Sequence, residues 1–199
     1  MQAANSNIYK IKPYVPGKPI DEVRRELNLS SVIKLASNEN PYSPSPKALA
    51  AMGRAAREVN RYPDGDCFLL RRALAGKLNI DPDQLIFGNG SDEIIVLAVK
   101  AFAAKGDEVI IAKPSFLVYE IASILSGARL HQVPLKSFRY DLQAMKAKVN
   151  RRTKIIFIGN PDNPAGTYIT QRQAEDFLTG VPKSTLVFFD EAYLDMLEM

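Results

Sequence analysis

The chain has 199 residues, 46% of them hydrophobic and 24% charged, with a net charge of +4 and a pI near 9.1. The charges are interspersed, with no run of five or more of one sign, so a solvated mixed surface is expected and a nucleic-acid face is not. One cysteine excludes an internal disulfide, one histidine argues against a histidine-based metal cluster, and the longest apolar stretch, 94–99, is too short to span a bilayer.

Irregular structure is expected over the first forty residues, where Pro13, Pro16, Gly17 and Pro19 interrupt any regular run; 21–27 has room for a short helix. Pro41, Pro44 and Pro46 mark a second extended segment. A helix begins near Pro46, because proline is tolerated in a first turn, and it carries Leu49, Met52 and Ala56 on one side. Cys67, followed by Phe68, Leu69 and Leu70, reads as a packed or half-packed thiol. From residue 69 onward an alternation sets in: helix 69–78, strand 85–87, helix 92–104, strand 108–112, helix 117–126, strand 129–133, helix 141–149, strand 154–158, helix 171–179 and strand 185–189. Short strands alternating with helices of about ten residues predict an α/β fold of three layers, a mostly parallel sheet flanked by helices. The strands are apolar with little polar alternation, which suits burial on both faces. The N-terminus lacks the apolar core of a signal peptide, and a cytoplasmic protein is expected.

In an open α/β sheet, ligands collect beyond the carboxyl ends of the strands. After 85–87 comes Gly88-Asn89-Gly90-Ser91-Asp92-Glu93 and then a helix. The glycines admit a ligand close to the backbone, Ser91 or Asp92 can cap the helix, and the free N–H groups of its first turn form an anion site. An ordinary capped glycine turn is the common alternative. The stretch is neither a dinucleotide fingerprint, since Glu93 replaces the third glycine, nor a P-loop. After 154–158 comes Gly159-Asn160-Pro161-Asp162-Asn163-Pro164-Ala165-Gly166, whose prolines restrict where the Asn163 amide points; an Asn-Pro turn is the plain alternative. The third strand end is Asp190, after Leu186-Val187-Phe188-Phe189. An acid at the mouth of an apolar strand is costly without a cationic or hydrogen-bonding partner. The protonated ring nitrogen of a pyridoxal cofactor is one such partner, and a helix N-cap or buried salt bridge is the alternative. Tyr193, three residues on, can reach the same ligand. Phe116 follows strand 108–112 and can stack on a flat ring or fill the core. His131 lies in or beside a strand and reads as structural.

Taken in order, these residues resemble the pyridoxal 5′-phosphate-dependent aminotransferases of fold type I, the histidinol-phosphate branch most closely. The resemblance runs from Tyr14 to the last residues. It rests on Tyr14-Val15-Pro16-Gly17, KLASNENPYSPSP at 34–46, Arg61-Tyr62-Pro63-Asp64-Gly65, Asn89-Gly90-Ser91-Asp92-Glu93, Asn163-Pro164-Ala165-Gly166 and Asp190-Glu191-Ala192-Tyr193. It implies residues 1–40 as an N-terminal arm with the start of a small domain, and 41–199 as part of the cofactor-binding large domain. It also implies roles. Gly90, Ser91 and Asp92 hold the cofactor phosphate, joined by Tyr62 of a partner subunit in a homodimer. Phe116 stacks on the ring, Asn163 and Tyr193 bind its oxygen, and Asp190 keeps its nitrogen protonated. Asn38, Glu39 and Tyr42 lie on the substrate side, with histidinol phosphate and 2-oxoglutarate or glutamate as substrates. The family's Schiff-base lysine lies beyond Asp190 and finds no counterpart here, so the 199-residue chain alone is expected not to transaminate. A related pyridoxal-phosphate enzyme, such as an aromatic aminotransferase or a threonine-phosphate decarboxylase, and a non-catalytic ligand-binding remnant are the competing expectations.

Overall fold

A computed structural model describes residues 4–13, 17–40 and 42–197. Tyr14, Val15, Pro16 and Pro41 of the motifs above lie outside the described residues. Residues 4–13 and 88–197 form one compact unit, and 17–87 form another.

The unit of 17–87 carries three helices, α1 (Ile20–Leu27), α2 (Pro46–Ala55) and α3 (Phe68–Leu78). Pro46 stands in the first turn of α2 as expected. Asp64 starts α3 by accepting from the N–H groups of Asp66 at 3.0 Å and Phe68 at 2.9 Å. Cys67 is half-buried. Among the described residues of this unit only Ala75 is buried, and Leu49 and Met52 on α2 are 51% and 65% exposed. The apolar side of α2 therefore has no core within its own unit. The strand expected at 85–87 does not form. Its Leu85 carbonyl is taken by the Arg71 guanidinium, which also holds the Pro82 carbonyl at 2.8 Å and lies 5.2 Å from the centre of the Phe87 ring. A side chain on α3 thus occupies the acceptor that a neighbouring strand would use.

The other unit is the sheet. In chain order it comprises α4 (Gly90–Phe102), β1 (Glu108–Lys113), α5 (Leu117–Ser126), β2 (Arg129–Pro134), α6 (Leu142–Lys148), β3 (Thr153–Gly159), α7 (Gln171–Leu178) and β4 (Leu186–Asp190). All three pairings are parallel and the order is β2-β1-β3-β4. Local sequence sets the helix ends: Asp141 accepts from the Ala144 N–H to start α6, Thr170 and Gln173 form a capping box on α7, and Gly127 ends α5 at φ 78°. Side chains alternate along each strand and divide the core between the two faces. Val109 and Ile111 of β1 and Ile155 and Phe157 of β3 pack with Ile95, Val99, Tyr119 and Ala122 of α4 and α5. Ile110, Ala112, Ile156 and Ile158 pack instead with Met145 of α6 and Phe177 of α7. These strand residues are at most 1% exposed, and each larger one contributes about 1.5–3 kcal/mol of burial. This is the three-layer α/β arrangement that the alternation predicts.

Topology then fixes where a ligand can sit. The chain runs outward from β1 to β2 and returns on the other side of β1 to β3, so the strand order reverses between β1 and β3. Loops leave the carboxyl ends of those strands in opposite directions and leave a crevice between them. The opposite edge of the sheet is closed by polar contacts. Glu108, 2% exposed, accepts from Asn150 at 2.7 Å, His131 at 2.8 Å and Arg152 at 2.8 and 2.9 Å. His131 is thus tied into the sheet's amino edge, in keeping with a structural reading.

Candidate active site

Three loops meet beyond the carboxyl ends of β1, β3 and β4. Phe116 leads into α5, Asn160 to Asn163 follow Gly159 at the end of β3, and Glu191 to Tyr193 follow Asp190 at the end of β4. Together with Ser91 and Tyr119 they line one concavity. Its enclosed space is about 30 Å³, enough for about one water, so a ring-sized ligand must bind at the open mouth. Roomier clefts of about 380 and 390 Å³ lie elsewhere, one at Lys136, Arg139 and Gln173, the other at Gln171, Ala174 and Phe189. Neither contains the acid, amide and aromatic groups singled out in the sequence.

Asp190 is the last residue of β4 and is 8% exposed. Its backbone is fixed by register against Gly159 and by the Asn160 N–H, which donates to the Asp190 carbonyl at 2.8 Å. One carboxylate oxygen, Oδ2, accepts from the Tyr119 hydroxyl at 2.7 Å; the other, Oδ1, accepts from the Ala192 N–H at 3.2 Å. Tyr119 is 1% exposed, stacks on Phe157 with centroids 4.6 Å apart at 6°, and meets Phe116 edge-on at 5.6 Å and 84°. Burial, then the bond to Asp190, pushes the Tyr119 phenol far above its usual range, so it is a donor at every working pH.

The Asn163 amide donates to the Tyr193 hydroxyl at 3.3 Å, which brings those two expected ligands together. The loop that carries Asn163 is held from beneath. Tyr140 donates to Asp162 Oδ1 at 2.6 Å and accepts from the Gly159 N–H at 2.8 Å, while Asp162 Oδ2 accepts from the Ala165 N–H at 3.1 Å. Asp162 is 3% exposed, and burial raises its carboxyl above the usual range against the opposing pull of the Tyr140 and Ala165 bonds.

At α4 the expected cap is displaced. Asn89, not Ser91 or Asp92, is the N-cap; Gly90 adopts φ 76°, and the Glu93 side chain reaches back to the Asn89 N–H at 2.6 Å. Ser91 therefore lies inside the first turn and faces the concavity, with Asp92 exposed beside it. A first helical turn has N–H groups with no carbonyl four residues back, which is where an anion binds.

The structure thus brings Ser91, Phe116, Asn163, Asp190 and Tyr193 to one place. Tyr62, Asn38, Glu39 and Tyr42 belong to the other unit. There Tyr62 and Tyr42 are exposed, Glu39 pairs with Lys34 at 2.6 Å, and Asn38 has φ 49°. Sequence reasoning missed Tyr119, Tyr140 and Asp162. For Tyr119 the available signal was a hydroxyl in the mostly apolar run Leu117-Val118-Tyr119-Glu120-Ile121-Ala122; Tyr140, between Arg139 and Asp141, and Asp162 carried no such signal. Among the described residues, no lysine lines the concavity.

Residues 30–198 match the family described as Aminotransferase class I and II. The histidinol-phosphate aminotransferase of Moorella thermoacetica is 50% identical over 188 residues, which are 94% of this chain and 49% of that protein. That of an Anaeromyxobacter species is 48% identical over 193 residues, 96% of this chain and 53% of that protein. The solved histidinol-phosphate aminotransferase of Sinorhizobium meliloti, in complex with pyridoxal-5′-phosphate, aligns with a TM-score of 0.88 at 26% identity, covering 100% of this chain and 53% of that one. The chain spans about half the length of the curated relatives it matches. With nearly all of its sheet unit inside the matched range, the chain belongs to the class I and II aminotransferase family.

Proposed function

We propose that the concavity is the ring-binding part of a pyridoxal 5′-phosphate site, in an enzyme that moves an amino group between L-histidinol phosphate and 2-oxoglutarate in histidine biosynthesis. The observation that carries this is Asp190: a buried strand-end carboxylate, fixed on both oxygens, beside an aromatic side chain and at the open mouth of a crevice. The donor set fits the cofactor. Asp190 would hold the proton on the ring nitrogen, Phe116 would cover a ring face, and the Asn163 and Tyr193 pair would bind the ring oxygen. Gly90, Ser91 and Asp92 would present the start of α4 to the phosphate. Bound there, the cofactor supplies an electron sink for the substrate's α-carbon. A desolvated, preorganised carboxylate is the contribution of this chain to that chemistry.

The remaining roles belong to the same proposal. No lysine lines the concavity among the described residues, so an amine from outside it would hold the cofactor covalently and carry the α-proton. Tyr62 would reach the phosphate of a partner subunit in a cytoplasmic homodimer, with Asn38, Glu39 and Tyr42 on the substrate side. Residues 41–199 would then be part of the large domain. The test is a chimera of this chain with the remaining half of the Moorella thermoacetica relative, assayed with histidinol phosphate and 2-oxoglutarate. Turnover is expected, with loss on Asp190→Ala. Turnover of aromatic amino acids with none of histidinol phosphate would overturn the substrate assignment.

A further inference from the structure

Three acids are buried among the described residues: Glu108, Asp162 and Asp190. A carboxylate offers about four acceptor positions. Glu108 fills them with Asn150, His131 and two Arg152 contacts, and Asp162 is closed into its own loop by Tyr140 and the Ala165 N–H. Asp190, like Asp162, accepts one short and one long bond, from Tyr119 and Ala192, but of the two only Asp190 lines the concavity, so its spare acceptor capacity faces a ligand. The short bond comes from a ring that cannot move, clamped between Phe157 and Phe116.

We propose that Tyr119 is a positioning residue for the cofactor site: its hydroxyl fixes the rotation of the Asp190 carboxylate, so that the remaining acceptor positions are presented to the ring nitrogen. This rests on the pyridoxal phosphate reading above. A rigid donor on Oδ2 removes the χ2 freedom that an aspartate at a strand end otherwise keeps. It also keeps the carboxylate satisfied when no ligand is bound, so binding need not reorganise it.

The test uses the 199-residue chain and three variants: Tyr119→Phe, Asp190→Asn and the double. Each is titrated with pyridoxal 5′-phosphate and followed by the cofactor's absorption. Tyr119→Phe keeps the ring and its stack, and its unfolding midpoint checks that the core survives. The expected result is a loss of about tenfold in affinity for Tyr119→Phe, the worth of one charge-assisted bond, and a larger loss for Asp190→Asn. The double should bind no more weakly than Asp190→Asn, because the tyrosine acts only through the acid. Additive losses, or wild-type binding by Tyr119→Phe, would overturn the proposal. A second arm needs no cofactor. At fixed neutral pH the carboxyl ¹³C resonance of Asp190 should move when Tyr119 loses its hydroxyl, and an unmoved resonance overturns the coupling. Failure of the wild-type chain to take up cofactor would instead remove the pyridoxal reading, and the ¹³C arm would still decide whether the tyrosine holds the acid.

Discussion

The acid at the amino edge of the sheet gives a quantitative stability prediction. Glu108 is 2% exposed and receives donors from Asn150, Arg152 and His131. The Asn150 bond is the largest cause of its depressed pKa, burial opposes it, and Arg152 and His131 add to it. The carboxyl falls from 4.5 to about 2, which is worth about 3 kcal/mol to the folded state at neutral pH. Because the folded pKa lies below the unfolded one, the unfolded chain binds the proton more tightly. The stabilisation is therefore complete above about pH 5 and is lost as pH falls from there towards 2. Glu108→Gln removes the charge and keeps the shape. Urea unfolding at pH 7 should show the variant about 3 kcal/mol less stable, and the gap should narrow to less than half of that at pH 3. Comparing the two proteins at each pH cancels the other carboxyls, including Asp162, whose raised pKa acts in the opposite direction. A gap that stays constant between pH 7 and pH 3 would refute the reasoning.

Tyr140→Phe strips a partner from the buried Gly159 N–H and from Asp162, and urea unfolding should show a loss of about 2–4 kcal/mol. Phe157→Ala empties a site that is 0% exposed and removes the stack under Tyr119, with an expected cost of about 3–5 kcal/mol in the same assay. Arg71→Ala frees the Pro82 and Leu85 carbonyls; faster amide hydrogen exchange is expected across 82–87, with no change in the sheet unit.

Most of the sheet was legible because its signal is local. The apolar runs of β1 and β3 are too short for helices and too apolar for one-sided strands, and both are buried on two faces. Asp190 stood out for the same reason, as an acid closing an apolar run. The misses came from contacts distant in the chain or set by a competing side chain. Tyr119 and Asp190 are 71 residues apart, and in sequence Tyr119 is simply another large residue on an apolar helix. Residues 85–87 have the composition of a strand, yet Arg71 claims the Leu85 carbonyl. Ser91 looked like a helix cap, but the positive φ of Gly90 let Asn89 take that position and carried Ser91 into the first turn.

The two tyrosines missed in the sequence explain how the carboxyl edge tolerates its acids. Tyr119 belongs to the core cluster on one face of the sheet and Tyr140 to the cluster on the other. Each delivers a phenol to an acid at or just beyond a strand end, Asp190 as the last residue of β4 and Asp162 after β3. A phenol is well matched to both positions. Its ring gains stability from burial in the core, and its neutral hydroxyl satisfies a carboxylate without bringing a second charge out of water. An arginine or lysine in either place would instead bring a second charge out of water. Glu108, which does carry an arginine, is filled on both oxygens and lies at the opposite edge. The partners therefore differ by edge, with neutral phenols at the carboxyl end of the sheet and a guanidinium at the amino end.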